Sequence, residues 1–216
     1  MEIINLEGPP STDLCQVCQS KEFEFRCTQC YKNQVTCHAC CLDMHGANPD
    51  HSIEKWTGSC WVQDDLHHMG LVLSLGHGGS LCPEQMRYDS PTDEDSSGDE
   101  TVGGKVTLLV VDVNGIGKRR FSYCSCPNAP PHHLQLLRHR LFPASFSHPQ
   151  TVFTFSVLEY FFIDSMECKT SAGSFYSKLR RLTDGAFPHT IPVRPTSHTF
   201  PVRLTMFLTR IDTENS

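Results

Sequence analysis

The cysteines of this 216-residue chain are clustered by spacing. Seven of the 12 fall between Cys15 and Cys41, as Cys15-x-x-Cys18, Cys27-x-x-Cys30 and Cys37-x-x-Cys40 with Cys41 alongside, and His45 and His51 follow. A Cys-x-x-Cys turn offers two thiolates to one ion at about 2.3 Å, and its backbone N–H groups support them. The same turn closes a local disulfide only with strain, so the spacing favours metal. Three pairs and two histidines supply the ligands of two tetrahedral zinc ions. They divide either sequentially or interleaved. The interleaved division assigns Cys15, Cys18, Cys37 and Cys40 to one ion and Cys27, Cys30, His45 and His51 to the other. It is preferred because so short a segment has too little core to fold unaided, and crossed ions lock its two halves together. His38 and Cys41 are spare and could substitute for a neighbour.

A second group is more dispersed. His77 and Cys82 lie in Leu75-Gly76-His77-Gly78-Gly79-Ser80-Leu81-Cys82-Pro83, and Cys124-x-Cys126 comes much later. Gly-Gly and Pro mark a tight loop that bends around an ion. Residues 106–113 read as a strand, Asn114-Gly115 as a hairpin turn and Lys118 to Cys124 as the return strand. Period two then places Cys124 and Cys126 on one side of an extended segment. His77, Cys82, Cys124 and Cys126 compose a ribbon-like third zinc site. The competing reading is a loop histidine with ordinary thiols. Cys60 and Cys168 have no partners in the sequence and read as packing residues.

The elements holding these ligands describe an α+β chain. Residues 1–14 read as a flexible leader and 15–55 as the double-zinc module. Residues 56–184 form a mixed domain, and 185–216 an irregular tail. Within the mixed domain Leu71 to Leu75 is a strand leading into His77. Residues 89–104 carry Asp89, Asp93, Glu94, Asp95, Asp99 and Glu100 without a basic residue, as a solvated insertion does. His133 to Phe142 reads as a helix on Leu134, Leu137 and Leu141, stopped by Pro143. Ser156-x-x-Glu159 is a capping box for a helix running to about Cys168, whose Phe and Leu content marks it as a main source of the core. A third helix spans about Ser174 to Leu182. Beyond Thr183 periodicity fades among Pro188, Pro192, Pro195 and Pro201.

Composition narrows the function. Hydrophobic residues make up 38% of the chain, enough for one modest core, and no apolar run is long enough to cross a membrane. The first residues lack the basic region and apolar stretch of a secretory signal, so a disulfide-stapled secreted scaffold is not expected. The net charge of −6 hides a division. Residues 1–104 carry 5 basic and 17 acidic side chains, net −12, and residues 105–216 carry 13 and 7, net +6. Lys118, Arg119, Arg120, Arg138, Arg140, Lys178, Arg180 and Arg181 are candidate DNA phosphate contacts, with solvated surface as the alternative. A protein partner is the other possibility; no small-molecule substrate is expected.

The order of these features resembles the type-2 CxC cysteine cluster found beside KDZ (Kyakuja, Dileera, Zisupton) transposases in fungal genomes. The similarity runs through Phe25-Arg26-Cys27 with Cys30, Cys37-His38-Ala39-Cys40-Cys41, His45 to Pro49 with His51, and Ile53-Glu54-Lys55-Trp56. It continues in Leu75-Gly76-His77-Gly78, Cys82-Pro83, Val111 to Ile116, Cys124-x-Cys126, Leu136-Leu137-Arg138 and Leu141 to Ala144. Phe153-Thr154-Phe155, Phe175-Tyr176 and Arg181 to Asp184 complete it, over about residues 12–190. The resemblance implies a nuclear or nucleocytoplasmic zinc-binding module that normally precedes a transposase, and it includes the third site in the family's pattern. The 15–55 segment alone is similar to B-box and ZZ cross-braces, which bind proteins. The expected fold is thus a cross-brace module followed by a mixed domain with a zinc-ribbon-like hairpin and C-terminal helices. Family members continue into a basic, aromatic segment that residues 185–216 do not resemble. That is expected of a truncated element, a domesticated fragment or a misjoined gene.

Catalysis would need carboxylates converging on metal. Asp112 ends an apolar strand, and Glu159, Asp164, Glu167 and Asp184 are available, but three of these four share one predicted helix. Asp112-Val113-Asn114-Gly115 is equally the chemistry of a tight hairpin. No enzymatic activity is expected. The alternative function is a B-box-like adaptor of the ubiquitin-ligase accessory kind, although neither a RING pattern nor coiled-coil heptads flank the module.

Overall fold

The computed structural model describes residues 12–86, 101–102, 105–185 and 187–191. Most of the expected leader and tail, and nearly all of the acidic insertion, lie outside them. The chain divides into two units, Met1–Leu73 and Ser74–Ser216.

The first unit is built from very short pieces. Strands β1 (Phe25–Cys27), β2 (Val35–Thr36), β3 (Ile53–Trp56) and β4 (Trp61–Asp64) form an antiparallel sheet ordered β2-β1-β3-β4, and helix α1 spans His38–His45. Alternation sends Phe25, Cys27 and Ile53 to one face, where they pack with Cys41, Leu66 and Met69. On the opposite face the Arg26 guanidinium lies 4.5 Å from the Trp61 ring centre and 2.6 Å from Glu54, while Trp56 and Trp61 stand 5.1 Å apart. β4 pairs with β3 in full register, so this sheet continues past residue 55, where the sequence reading ends the module.

A six-stranded sheet comprises β5 (Val72–Ser74), which spans the boundary between the units, and, within the second unit, β6 (Thr101–Val102), β7 (Lys105–Asp112), β8 (Gly115–Ser122), β9 (Leu141–Pro143) and β10 (Thr151–Thr154). Its order is β5-β8-β7-β10-β9, with β6 paired to the start of β7. Helices α2 (Pro83–Met86), α3 (His132–Arg138), α4 (Phe155–Glu167) and α5 (Ala172–Thr183) complete it. β7 and β8 pair from Lys105↔Ser122 to Asp112↔Gly115, so the turn residues are Val113-Asn114, one position before the expected Asn114-Gly115. Asp112 shapes that turn by accepting the Asn114 N–H at 3.1 Å. Its other oxygen accepts the Thr154 hydroxyl at 2.7 Å. β10 runs parallel to β7, and α4 and α5 cover the face carrying Val111, Ile116 and Phe153.

Two helix expectations change. α3 ends at Arg138, and Leu141–Pro143 is instead an edge strand paired with β10. Arg140 takes a left-handed φ of 58° between them, and Pro143 is tolerated because an edge strand has a side needing no donor. α4 starts at Phe155, capped by Thr154, whose hydroxyl oxygen accepts the Val157 N–H at 3.2 Å. Ser156 is thus inside the helix rather than its cap. Among the described residues no helix is long and apolar enough to cross a membrane.

Candidate metal centres

The twelve candidate ligands lie in three groups, Cys15, Cys18, Cys37 and Cys40; Cys27, Cys30, His45 and His51; and His77, Cys82, Cys124 and Cys126. Within each, the ligand atoms all lie within 4.8 Å of one another. Ligands about 2.0–2.3 Å from one ion at tetrahedral angles stand about 3.3–3.8 Å apart. The observed Cys18–Cys37, Cys82–Cys126 and Cys82–Cys124 sulfur separations are 3.9, 3.8 and 4.0 Å. A disulfide would need about 2.05 Å, and all 12 cysteines are free. The division within the first unit is the interleaved one.

Each group is positioned by a different device. In the first, the Cys15–Cys18 turn faces Cys37 and Cys40 at the start of α1, and the Cys41 N–H bonds back to the Cys37 carbonyl. Burial pushes the Cys15 thiol up, but backbone N–H groups of Cys18, Cys37 and Val17 outweigh it and the net shift is downward. Ser20, through its side chain and its N–H, brings Cys18 down to about 6. Cys40, hydrogen-bonded to Cys37 and crowded by Cys15 and Cys18, is pushed up to about 12.

In the second group, the Gln29 and Cys30 N–H groups donate to Cys27 Sγ at 3.4 and 3.2 Å. Burial raises the Cys27 thiol, but His45 and these N–H groups overcome it and bring it to about 6. The buried His45 has Nδ1 2.7 Å from the Cys41 carbonyl, so that nitrogen carries the proton and Nε2 faces the ion position, 3.6 Å from Cys30 Sγ. His51 presents Nδ1, at 3.5 and 3.4 Å from the Cys27 and Cys30 sulfurs. Gln29 Oε1 accepts the Ser52 N–H at 2.6 Å and ties this knuckle to the start of β3.

The third group joins two distant loops. His77, with a left-handed φ of 50°, and the following Gly78 and Gly79, at 66° and 95°, curl the chain so that His77 Nε2 lies 3.3 Å from Cys124 Sγ and 3.5 Å from Cys126 Sγ. Cys124 and Cys126 follow β8 rather than lying in it. Interactions with Cys124 and Cys82 push Cys126 up to about 11. In the first two groups some thiols ionise easily and a neighbour then resists a further negative charge. A divalent cation at the centre removes that resistance and takes all the sulfurs as thiolates.

One supporting residue has no sequence signature beyond being a polar residue among the three leucines of α3. Gln135 is 2% exposed. Its Oε1 accepts the Cys124 N–H at 2.8 Å, and its Nε2 donates to the Cys124 and Pro130 carbonyls at 3.0 and 2.8 Å. α3 thus buries Gln135 and Leu136 while Leu134 is exposed, a different face from the one its leucine spacing suggests. Stacking of Tyr123 on His132, with ring centres 4.0 Å apart, fixes the same helix beside the loop. Gln135→Leu should weaken metal binding at the third group about 10- to 100-fold, the usual cost of losing a residue that orients a ligand. Competition with a chelating dye measures it, and unchanged affinity would remove Gln135 from the site.

The remaining cysteines and acids fall elsewhere. Cys41 is buried 3.8 Å from His45 Nδ1, and the His38 ring stands 5.9 Å from that of Phe25. Cys60 is half-buried in the Thr57 turn, but Cys168 is exposed at the C-terminus of α4 and packs no core. Asp164 meets Lys178 at 3.4 Å, Glu159 meets Arg140 at 3.6 Å, and Asp184 accepts the Phe187 N–H at 2.8 Å.

The family model of CxC2-like cysteine clusters associated with KDZ transposases matches residues 66–186, more than half of the chain. The chain belongs to this family. No curated protein and no solved structure matches it. The CxC2 match contains the whole of the third group, together with Gly76 and Gln135, while both groups of the first unit precede it.

Proposed function

We propose that this CxC2 chain is a zinc-stabilised recognition module whose second unit contacts DNA. Three zinc ions would serve as structural centres, the first held by four cysteines, the second by two cysteines and two histidines, the third by three cysteines and one histidine. Four protein ligands leave no position for water or substrate, so the zinc would do no chemistry. The third centre, on a hairpin end, is of zinc-ribbon kind. The observation that carries the DNA reading is the packing of α5 on β8. The Ile116 N–H donates to Thr183 Oγ1 at 2.7 Å, and α5, which carries Lys178, Arg180 and Arg181, packs on β8, which carries Lys118, Arg119 and Arg120. Residues 105–191 carry ten basic and five acidic side chains, net +5. Arg138, at the end of α3, and Arg140, just beyond it, are further candidate phosphate contacts. A transposon-derived origin and a nuclear location follow from the same reading.

The first unit favours a protein partner instead. Its interleaved ligand groups support a reading as a B-box- or ZZ-like cross-brace, and residues 12–73 carry four basic and eight acidic side chains, net −4, which phosphate would avoid.

Fluorescence anisotropy with duplex DNA across a salt series tests the DNA reading. Affinity should fall steeply with salt, and Lys118→Glu with Arg120→Glu should flatten the log–log slope by about 2, near 0.9 for each phosphate left unneutralised. Absence of binding at low salt would leave the adaptor as the function.

A further inference from the structure

No acidic residue lies between Asp112 and Glu159. That stretch carries Lys118, Arg119, Arg120, Arg138 and Arg140, together with His132, His133, His139 and His148. Its second half also gathers aromatic rings at the surface. His132, at the start of α3, is exposed and lies flat on the buried Tyr123, with ring centres 4.0 Å apart and planes 11° apart. His133 beside it meets the Phe146 ring at 5.5 Å, and Phe142 of β9 meets the same ring at 6.0 Å, both close to perpendicular. Phe146 nevertheless stays 45% exposed.

A large apolar ring in this position needs a reason. Its neighbours in the chain are Ser145 and Ser147, so it belongs to no apolar run. Rings from α3 and β9 hold it from two sides, so little further ordering is needed when a ligand covers it. A held, half-exposed ring is a platform rather than a projecting wedge, and every nucleobase has a π face that stacks on such a platform. Bases inside a duplex already stack on their neighbours, and drawing one out costs unstacking energy. The platform therefore suits an unpaired base.

The charge beside it suits a strand backbone. Arg138 is exposed in the last turn of α3 and has no ion pair among the described residues. It lies about 7.5 Å along the helix from His133. Stacked nucleotides advance about 3.4 Å along a strand, so Arg138 is spaced for a phosphate about two nucleotides from the stacked base.

We propose that this surface takes an unpaired base of single-stranded DNA, stacked on Phe146, with Arg138 on a nearby phosphate. The inference rests on the DNA reading above and adds that the DNA contacted by the second unit includes a single-stranded segment.

Fluorescence anisotropy of the full-length, metal-loaded protein tests it, with labelled oligothymidylate of about 15 nucleotides and a duplex of the same length. Phe146→Ala should weaken oligothymidylate binding by about 5- to 150-fold, the usual cost of removing one stacked base. Duplex affinity, metal content and circular dichroism should stay unchanged. Phe146→Trp should keep strand binding, and its indole emission, added to that of Trp56 and Trp61, should be quenched by oligothymidylate and not by the duplex. Arg138→Gln should lower the single-strand salt slope by about 0.7, for one phosphate left unneutralised. Equal losses on strand and duplex in Phe146→Ala would overturn the proposal, as would an unquenched indole in Phe146→Trp. Duplex binding without strand binding would overturn this inference alone, and absence of binding to either at low salt would overturn the DNA reading beneath it.

Discussion

Chelation is expected to unfold the first unit and leave the sheet of the second standing. The first unit has strands of two to four residues and one eight-residue helix, and its buried cluster is Phe25, Cys27, Cys41, Ile53, Leu66 and Met69. One of those six, Cys27, is itself a candidate ligand, and burying its thiolate is tolerable only while a cation compensates the charge. An apolar core this small stabilises a fold weakly, whereas structural zinc contributes about 10–16 kcal/mol in apparent terms. The interleaving makes the loss cooperative. Removing the ion from Cys27, Cys30, His45 and His51 frees α1 at its C-terminal end, and α1 carries Cys40 of the other group. The second unit differs in kind. Its core of Val111, Ile116, Phe153, Val157, Leu158, Phe161, Phe175, Tyr176 and Leu179 contains no ligand, and the β7–β8 ladder runs for eight residue pairs. Hydrogen exchange under excess chelator should therefore show the Phe25, Cys27 and Trp56 amides losing protection while those of Val111 and Phe153 keep it. Cys27→Ser should reproduce the first half of that pattern without chelator. Persistent protection of β1 and β3 in the chelated protein would show that the unit folds without metal.

What could be read from the sequence follows the range of the interaction. Cys-x-x-Cys spacing is local, and so is the turn chemistry of the β7–β8 hairpin; both are visible in a few consecutive residues. The sheet of the first unit is not, because β1 and β2 are too short to show a period and exist only through pairing with distant segments. Leu141–Pro143 reads as the end of a helix because its leucine continues the α3 spacing. Pairing with β10 decides otherwise. At α4 two overlapping signals compete: Ser156 and Glu159 fit a capping box, but Thr154 carries the cap because its hydroxyl donates to Asp112, which leaves the oxygen lone pairs turned to the Val157 N–H. The Phe and Leu content of α4 marks it as a main source of the core, and Val157, Leu158 and Phe161 do enter it, while Phe162, Ile163 and Met166 are exposed. Gln135 is the clearest residue the sequence hides. Nothing local connects it to Cys124, and only the fold brings α3 against the end of β8.

Gly76→Ala should cost the protein its third metal and spare the other two. The backbone of Gly76 is extended, with φ −129°, so any residue could adopt it and conformational strain is not the reason for glycine. The reason is proximity. A Cβ at this position would stand 2.7 Å from Cys124 Cβ and 3.6 Å from its Cα. Ordinary contact begins near 3.4 Å, so the two loops must separate by about 0.7 Å. Neither side yields easily. Cys124 is held by the Gln135 side-chain amide, whose oxygen accepts the Cys124 N–H and whose nitrogen donates to the Cys124 carbonyl, and the Leu75 N–H bonds to the Ser122 carbonyl at 2.9 Å, fixing the chain on each side of the contact. Overpacking of this kind costs about 1–3 kcal/mol, and a ligand set tolerates only about 0.2 Å of error in metal distance. Separation of His77 from Cys124 and Cys126 therefore falls directly on coordination, and affinity should drop about 100-fold. The three donor sets differ in their number of sulfurs, so cadmium NMR of the substituted protein resolves them individually. Gly76→Ala should remove the resonance of the three-sulfur centre while those of the four-sulfur and two-sulfur centres stay in place. Gly173→Ala, where the nearest atom to the new Cβ is 4.0 Å away, should keep all three. Retention of the third resonance in Gly76→Ala would mean that the loops give way more cheaply than their hydrogen bonds allow.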